Sequence, residues 1–167
     1  MRKIIYTLVV ACSVTMSSCQ AQKTSNSTAG NYTYETECMG TEMDGSQTLK
    51  SWGNGRNYFD ASTQAKKNAV HGIIFQGYAG GGQGCTSQKP LCSDPSIEQQ
   101  KEEFFSNFFN INGGKYMKFV SNSGDSTPTV KKVGKEYKIG VVVTVMSDNL
   151  RKDLEAAGIV RGLSSGF

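Results

Sequence analysis

The sequence holds one histidine, His71, and one tryptophan, Trp52. Beyond Val14 it has no apolar run approaching the roughly 20 residues that a membrane-spanning helix requires. Each shortage excludes something. A single imidazole cannot complete the usual zinc ligand sets, and the spacing from Cys85 to Cys92 is not that of a zinc knuckle. A Ser-His-Asp or Cys-His centre would have to use His71, which falls in mid-helix on a polar face with Lys67 and Gln64, and no nucleophile-elbow motif accompanies it. We read His71 as a surface residue and expect no catalytic residue, metal or cofactor. Gly80-Gly81-Gly82-Gln83-Gly84 lacks the Lys-Ser/Thr of a phosphate loop and follows a helix rather than a strand, so it reads as linker.

Charge of one sign is also scarce. The formal net charge is +4, and it falls to about +2 once Arg2 and Lys3 depart with a leader, too little for a nucleic-acid footprint. Lys131, Lys132, Lys135 and Lys138 gather round a predicted turn; a solvated hairpin explains them, with an anionic partner or lipid headgroup as the alternative. Glu35, Glu37, Glu42 and Asp44 read as a solubilising edge rather than a catalytic carboxylate pair. Asp125-Ser126-Thr127 matches a three-residue pattern for bacterial O-glycosylation.

What is present begins with a leader. Arg2 and Lys3 precede an apolar run from Ile4 to Val14, and Met16-Ser17-Ser18-Cys19 closes it with small residues. That quartet resembles the lipobox of bacterial lipoproteins, which implies cleavage before Cys19 and its diacylation. Val9-Val10-Ala11-Cys12 fits the same pattern with too short a run ahead of it, and ordinary cleavage after Ala21 is the other alternative. The expected mature protein is periplasmic, anchored to the outer membrane through Cys19. Residues 19–31, mostly Gln, Ser, Thr, Asn, Ala and Gly, have the composition of a flexible tether.

From Tyr32 to Val160 the pattern is that of one domain. Tyr32 to Met39 alternates as a half-buried strand, and Asp44-Gly45 turns the chain into a second strand, Leu49 to Gly53. Tyr58 to Gln76 is a long helix whose face Ala61, Ala65, Ala69 and Gly72 is small enough to sit close on a sheet, while Asp60, Gln64, Lys67 and His71 form its wet side. Asp94-Pro95 predicts the start of a helix ending near Phe109, with the stripe Ile97, Phe104, Phe105 and Phe108. Tyr116 to Ser121 reads as a strand. Tyr137, Ile139, Val141, Val143 and Val145 share one face of the best strand in the chain. Ser147 or Asp148 caps a last helix, Gly158 stops it, and the chain from Arg161 to Phe167 is a frayed tail. The expectation is an α+β domain: an antiparallel sheet of about four strands with helices packed on one face.

Three cysteines remain after the leader and Cys19: Cys38, Cys85 and Cys92. In an exported domain the short loop between Cys85 and Cys92 suggests a local disulfide, leaving Cys38 as a buried thiol, although pairing of Cys38 with either of the others stays open. The most suggestive binding feature is Trp52-Gly53-Asn54-Gly55-Arg56. It follows a strand and opens a helix, so Trp52, Gly53, Gly55 and Arg56 are the candidate contacts for an anion or partner, against a plain tight turn.

Gly53-x-Gly55 before the helix Ala61-x3-Ala65-x3-Ala69, with the later strand Tyr137 to Val145 running into a helix, resembles the N-terminal domain of the flagellar periplasmic protein FlgT and related small antigenic lipoproteins. The Gly77 to Cys92 loop and the aromatic helix after it depart from that pattern. Glu37-Cys38-Met39-Gly40 through Trp52-Gly53-Asn54-Gly55-Arg56-Asn57 also resembles envelope lipoproteins that accompany type VI-like secretion machinery. Both resemblances imply an accessory part of an envelope assembly with protein partners in the envelope and no cofactor. A small-ligand or glycan-binding module is the alternative.

Overall fold

The computed structural model describes residues 35–80, 84–124 and 126–162. The leader, Cys19, the tether, Tyr32 and Tyr34, the glycines at 81 and 82, Asp125 of the Asp125-Ser126-Thr127 motif and the tail from Leu163 lie outside them.

β1 (Thr36–Thr41) and β2 (Gln47–Gly55) form an antiparallel hairpin. Ser46 donates its backbone N–H to Asp44 Oδ1 at 2.8 Å in the turn. α1 (Tyr58–Phe75) follows, capped by Asn57, whose side chain accepts from the Asp60 N–H. The single predicted helix from Pro95 to Phe109 is two short ones, α2 (Ile97–Gln100) and α3 (Glu102–Phe108), broken at Lys101. Asp94 is not the cap residue: its carboxylate accepts from the Ser96 N–H and hydroxyl, and the helix begins later. The strand expected over Tyr116–Ser121 is mostly a 3-10 helix, Lys115–Phe119, leaving only β3 (Val120–Asn122) extended. β4 (Thr129–Val133) and β5 (Glu136–Val145) make the lysine-rich hairpin, and α4 (Ser147–Ala156) closes the fold.

The result is an α+β domain with an open antiparallel sheet of five strands, ordered β1-β2-β5-β3 with β4 also paired to β5. β5 is central because its β-branched run can serve two neighbours. It pairs with β2 over its upper nine residues, from Gln47↔Val145 to Gly55↔Tyr137. The pleat then sends Ile139, Val141, Val143 and Val145 to one side, where all are buried beneath α1. There they join a single apolar cluster that takes in Ala61, Ala65, Ala69, the α3 phenylalanines, and Leu150 and Leu154 of α4. The helices thus cover one face of the sheet.

Gly53 and Gly55 explain how closely α1 sits. A Cβ on Gly53 would lie 2.3 Å from the Ala61 carbonyl oxygen and from the Ala65 nitrogen, and one on Gly55 would lie 2.3 Å from the Ala61 nitrogen. Neither glycine has positive φ. The tight-turn reading is therefore corrected: β2 continues through both residues, and they are glycine because backbone meets backbone there.

Candidate functional site

The expected contacts Trp52, Gly53, Gly55 and Arg56 are not brought together. Strand alternation turns Gly53 and Gly55 toward α1 and Trp52 toward the other face, while Arg56 is exposed. The end of α1 itself is filled from within the chain, since Asn57 caps it and also donates to Asp60 Oδ2 at 2.8 Å.

Trp52 instead centres the uncovered face. It is buried to 8 % exposure yet lies outside the apolar cluster. Opposite it on β5 stands Gly140, where a Cβ would come within 3.0 Å of the indole, so the missing side chain is what makes room for the ring. The ammonium groups of Lys50, Lys131 and Lys138 stand 5.3, 5.2 and 5.6 Å from the ring centroid. Each is within cation-π range of the indole face. Glu35 holds Lys138, with oxygens 2.6 and 2.7 Å from Nζ. Nearby, Thr48 and Thr144 hydrogen bond across β2 and β5 at 3.1 Å.

His71 is not a surface residue. It is 1 % exposed, bonded through Nε2 to Glu98 of α2 at 2.9 Å, and flanked by Phe75 and Phe109 at ring distances of 4.6 and 5.4 Å. Lys67 is fully buried one turn away, with no hydrogen-bond partner for Nζ and with the Tyr116 ring 5.9 Å off. Burial holds its amine down at about 8 and pushes the Tyr116 phenol up to about 12. The physical reason for the correction is the phenylalanine layer of α3 and the 3-10 helix, which covers the side of α1 that its own periodicity marks as wet.

The disulfide also differs from the local pairing expected. Cys38 of β1 is joined to Cys85, and Cys92 is a free, buried thiol. The segment carrying Cys85 runs against β1, where the Thr41 N–H donates to the Gly84 carbonyl at 3.0 Å. Cys92 is drawn the other way, its N–H donating to the Ile74 carbonyl at 2.8 Å. Burial raises its thiol pKa. It lines a cleft of about 660 Å3 with Leu91, Asp94, Ile97, Arg151 and Arg161. Arg151 there is paired with Glu155 at 3.2 Å.

Among the described residues no group of His, Cys, Asp and Glu side chains is placed to hold a metal ion, and no helix is long and apolar enough to cross a membrane. Two features escaped the sequence. The cleft is assembled from segments distant in the chain and left no local signal. The lysine canopy was half visible, because a hairpin turning at Gly134-Lys135 sets Lys131 opposite Lys138, but its place over Trp52 needs the β2-β5 pairing. Comparison with protein-family models, curated proteins and solved structures finds no match.

Proposed function

We propose that this chain is a lipid-anchored periplasmic protein, moored to the outer membrane through Cys19, whose domain acts as a non-enzymatic structural or accessory subunit of an envelope assembly such as a type VI-like secretion apparatus. The observation that carries the reading is the charged, apolar and small-residue leader ending in Met16-Ser17-Ser18-Cys19. Two acyl chains on one cysteine meet the requirement for stable attachment. The non-enzymatic part is supported by the enclosure of the chain's one imidazole, in contact with Glu98 and the phenylalanine layer. The test is metabolic labelling with a fatty acid: label enters the wild type and is lost in Cys19→Ser, which also leaves the membrane fraction. Label at no cysteine, or at Cys12 alone, removes the anchor assigned here. Crosslinking in intact envelopes followed by affinity capture then asks for the assembly, and recovery of the chain alone refutes the accessory role.

One observation favours a second reading, a small-ligand module: the cleft of about 660 Å3 where apolar Leu91 and Ile97 face Arg151 and Arg161. A panel of small carboxylates and saccharides that leaves the melting temperature unchanged removes it.

A further inference from the structure

We infer that the uncovered sheet face around Trp52 is a docking surface for anionic lipid headgroups, so that the domain lies against the leaflet to which Cys19 is attached. The inference rests on the lipid-anchored reading for the source of its partner, and on geometry for the surface. Lys50, Lys131 and Lys138 come from three different strands, yet their ammonium groups all stand within 5.2 to 5.6 Å of one ring centroid. Like charges gathered so closely repel one another, and an arriving phosphate relieves that repulsion. Glu35 neutralises Lys138 in part, and Glu37 stands opposite Lys50 on the β1 edge. Lys50 and Lys131 have no carboxylate within ion-pair distance among the described residues.

The route of the chain selects lipid over other polyanions. The described chain begins at Glu35, and Glu35 is itself in contact with Lys138 on this face. Fifteen residues separate Cys19 from Glu35. A peptide of that length reaches at most roughly 55 Å. An anchor at Cys19 therefore keeps headgroups within reach of the lysine face, which lies beside the point where the chain enters the domain. An indole beneath a canopy of cations suits the headgroup region, where tryptophan's apolar body and polar edge are both accommodated. Each unpaired lysine brought to an anionic surface strengthens partitioning about fivefold, so Lys50 and Lys131 together contribute on the order of thirtyfold, with Lys138 held by Glu35.

Trp52 is the chain's one tryptophan, so its fluorescence reports this face alone. The lipidated protein, purified in detergent, is reconstituted into vesicles of phosphatidylcholine or of phosphatidylcholine with phosphatidylglycerol, each carrying a quencher on a fraction of the headgroups. Co-flotation with the zwitterionic vesicles reads the anchor; quenching of Trp52 reads the face. The expected result is flotation with both, with quenching at least threefold stronger on anionic vesicles and lost in about 0.5 M salt, as screening at that ionic strength requires. The variant Lys50→Gln/Lys131→Gln/Lys138→Gln, with unchanged circular dichroism, floats equally well and loses the difference. Flotation with both vesicles but equal quenching overturns the docking surface and leaves the anchor standing. Strong quenching on anionic vesicles without flotation on zwitterionic ones supports the face and removes the anchor. A Trp52 shift with a soluble polyanionic polysaccharide, and none with anionic vesicles, overturns the lipid assignment.

Discussion

Lys67→Met tests how the core is held together. The wild-type amine is fully buried, lacks a hydrogen-bond partner and is held at about 8 rather than 10.5 by desolvation. A displacement of that size corresponds to roughly 3 kcal/mol of penalty for keeping the charged form inside. Its sign follows from proton binding: the unfolded chain holds the Lys67 proton more tightly than the folded one, so folded-state stability rises as pH climbs from about 8 toward 10.5. Between about pH 6.5 and pH 9 the wild type should gain on the order of 1 kcal/mol from this group. Tyr116 has the opposite sign, because its raised phenol pKa contributes stability that is lost as pH rises from about 10 to about 12. The useful window therefore closes near pH 9. Methionine keeps the length and packing of the stem without the ammonium. Urea unfolding of both proteins across the window cancels every other titration in the difference. The variant is expected to be more stable by about 1 to 3 kcal/mol at pH 6.5, the loss of a weak cation-π contact with Tyr116 taking back part of the gain, with the advantage shrinking toward pH 9. Parallel stability curves, or a variant weaker than wild type at pH 6.5, would show that the ammonium is not confined without a partner and would refute the reasoning.

Non-reducing peptide mapping should recover Cys38 linked to Cys85, with Cys92 alkylated only after unfolding; a Cys85-Cys92 peptide would contradict the fold around β1. Because the bridge spans 47 residues, Cys38→Ser should cost up to about 4 kcal/mol in chemical denaturation, and a cost near zero would mean the reduced chain keeps that geometry unaided. Gly53→Ala and Gly55→Ala should each destabilise by about 3 kcal/mol, since α1 must lift off β2 to admit a methyl; a Tm within a degree or two of wild type would exclude the close approach.

Patterns confined to one element were legible in the sequence. The alternation of Tyr137 to Val145 placed the buried face of β5 correctly, and Gly158, with φ of 68°, ends α4 as expected. The small face of α1 was visible in its alanines. Its supposed wet side was not, because whether Lys67 and His71 meet water depends on α3, and nothing in α1 encodes where a helix some 30 residues later will pack. Ser147 or Asp148 was expected as a cap, yet Met146 holds that position, Asp148 falls in the first turn and the Ser147 hydroxyl is buried without a partner. The disulfide was misjudged for a related reason. Sequence distance favours Cys85 with Cys92, but the first is drawn to β1 through Gly84 and the second to the end of α1 through Ile74, which separates them. The site had the same weakness: Trp52 was noticed, but alternation placed its glycine neighbours on the opposite face.

The Cys38-Cys85 bridge has a consequence for self-association. Among the described residues β1 is an outermost strand, with a row of amides and carbonyls on its outer side that no described strand pairs with. In the oxidised molecule a stretch of the same chain is bolted beside that row, blocking access by another copy. A thiol reductant would unfasten this guard and leave β1 as an open template, so turbidity and fibre formation should begin there before the core has lost its order.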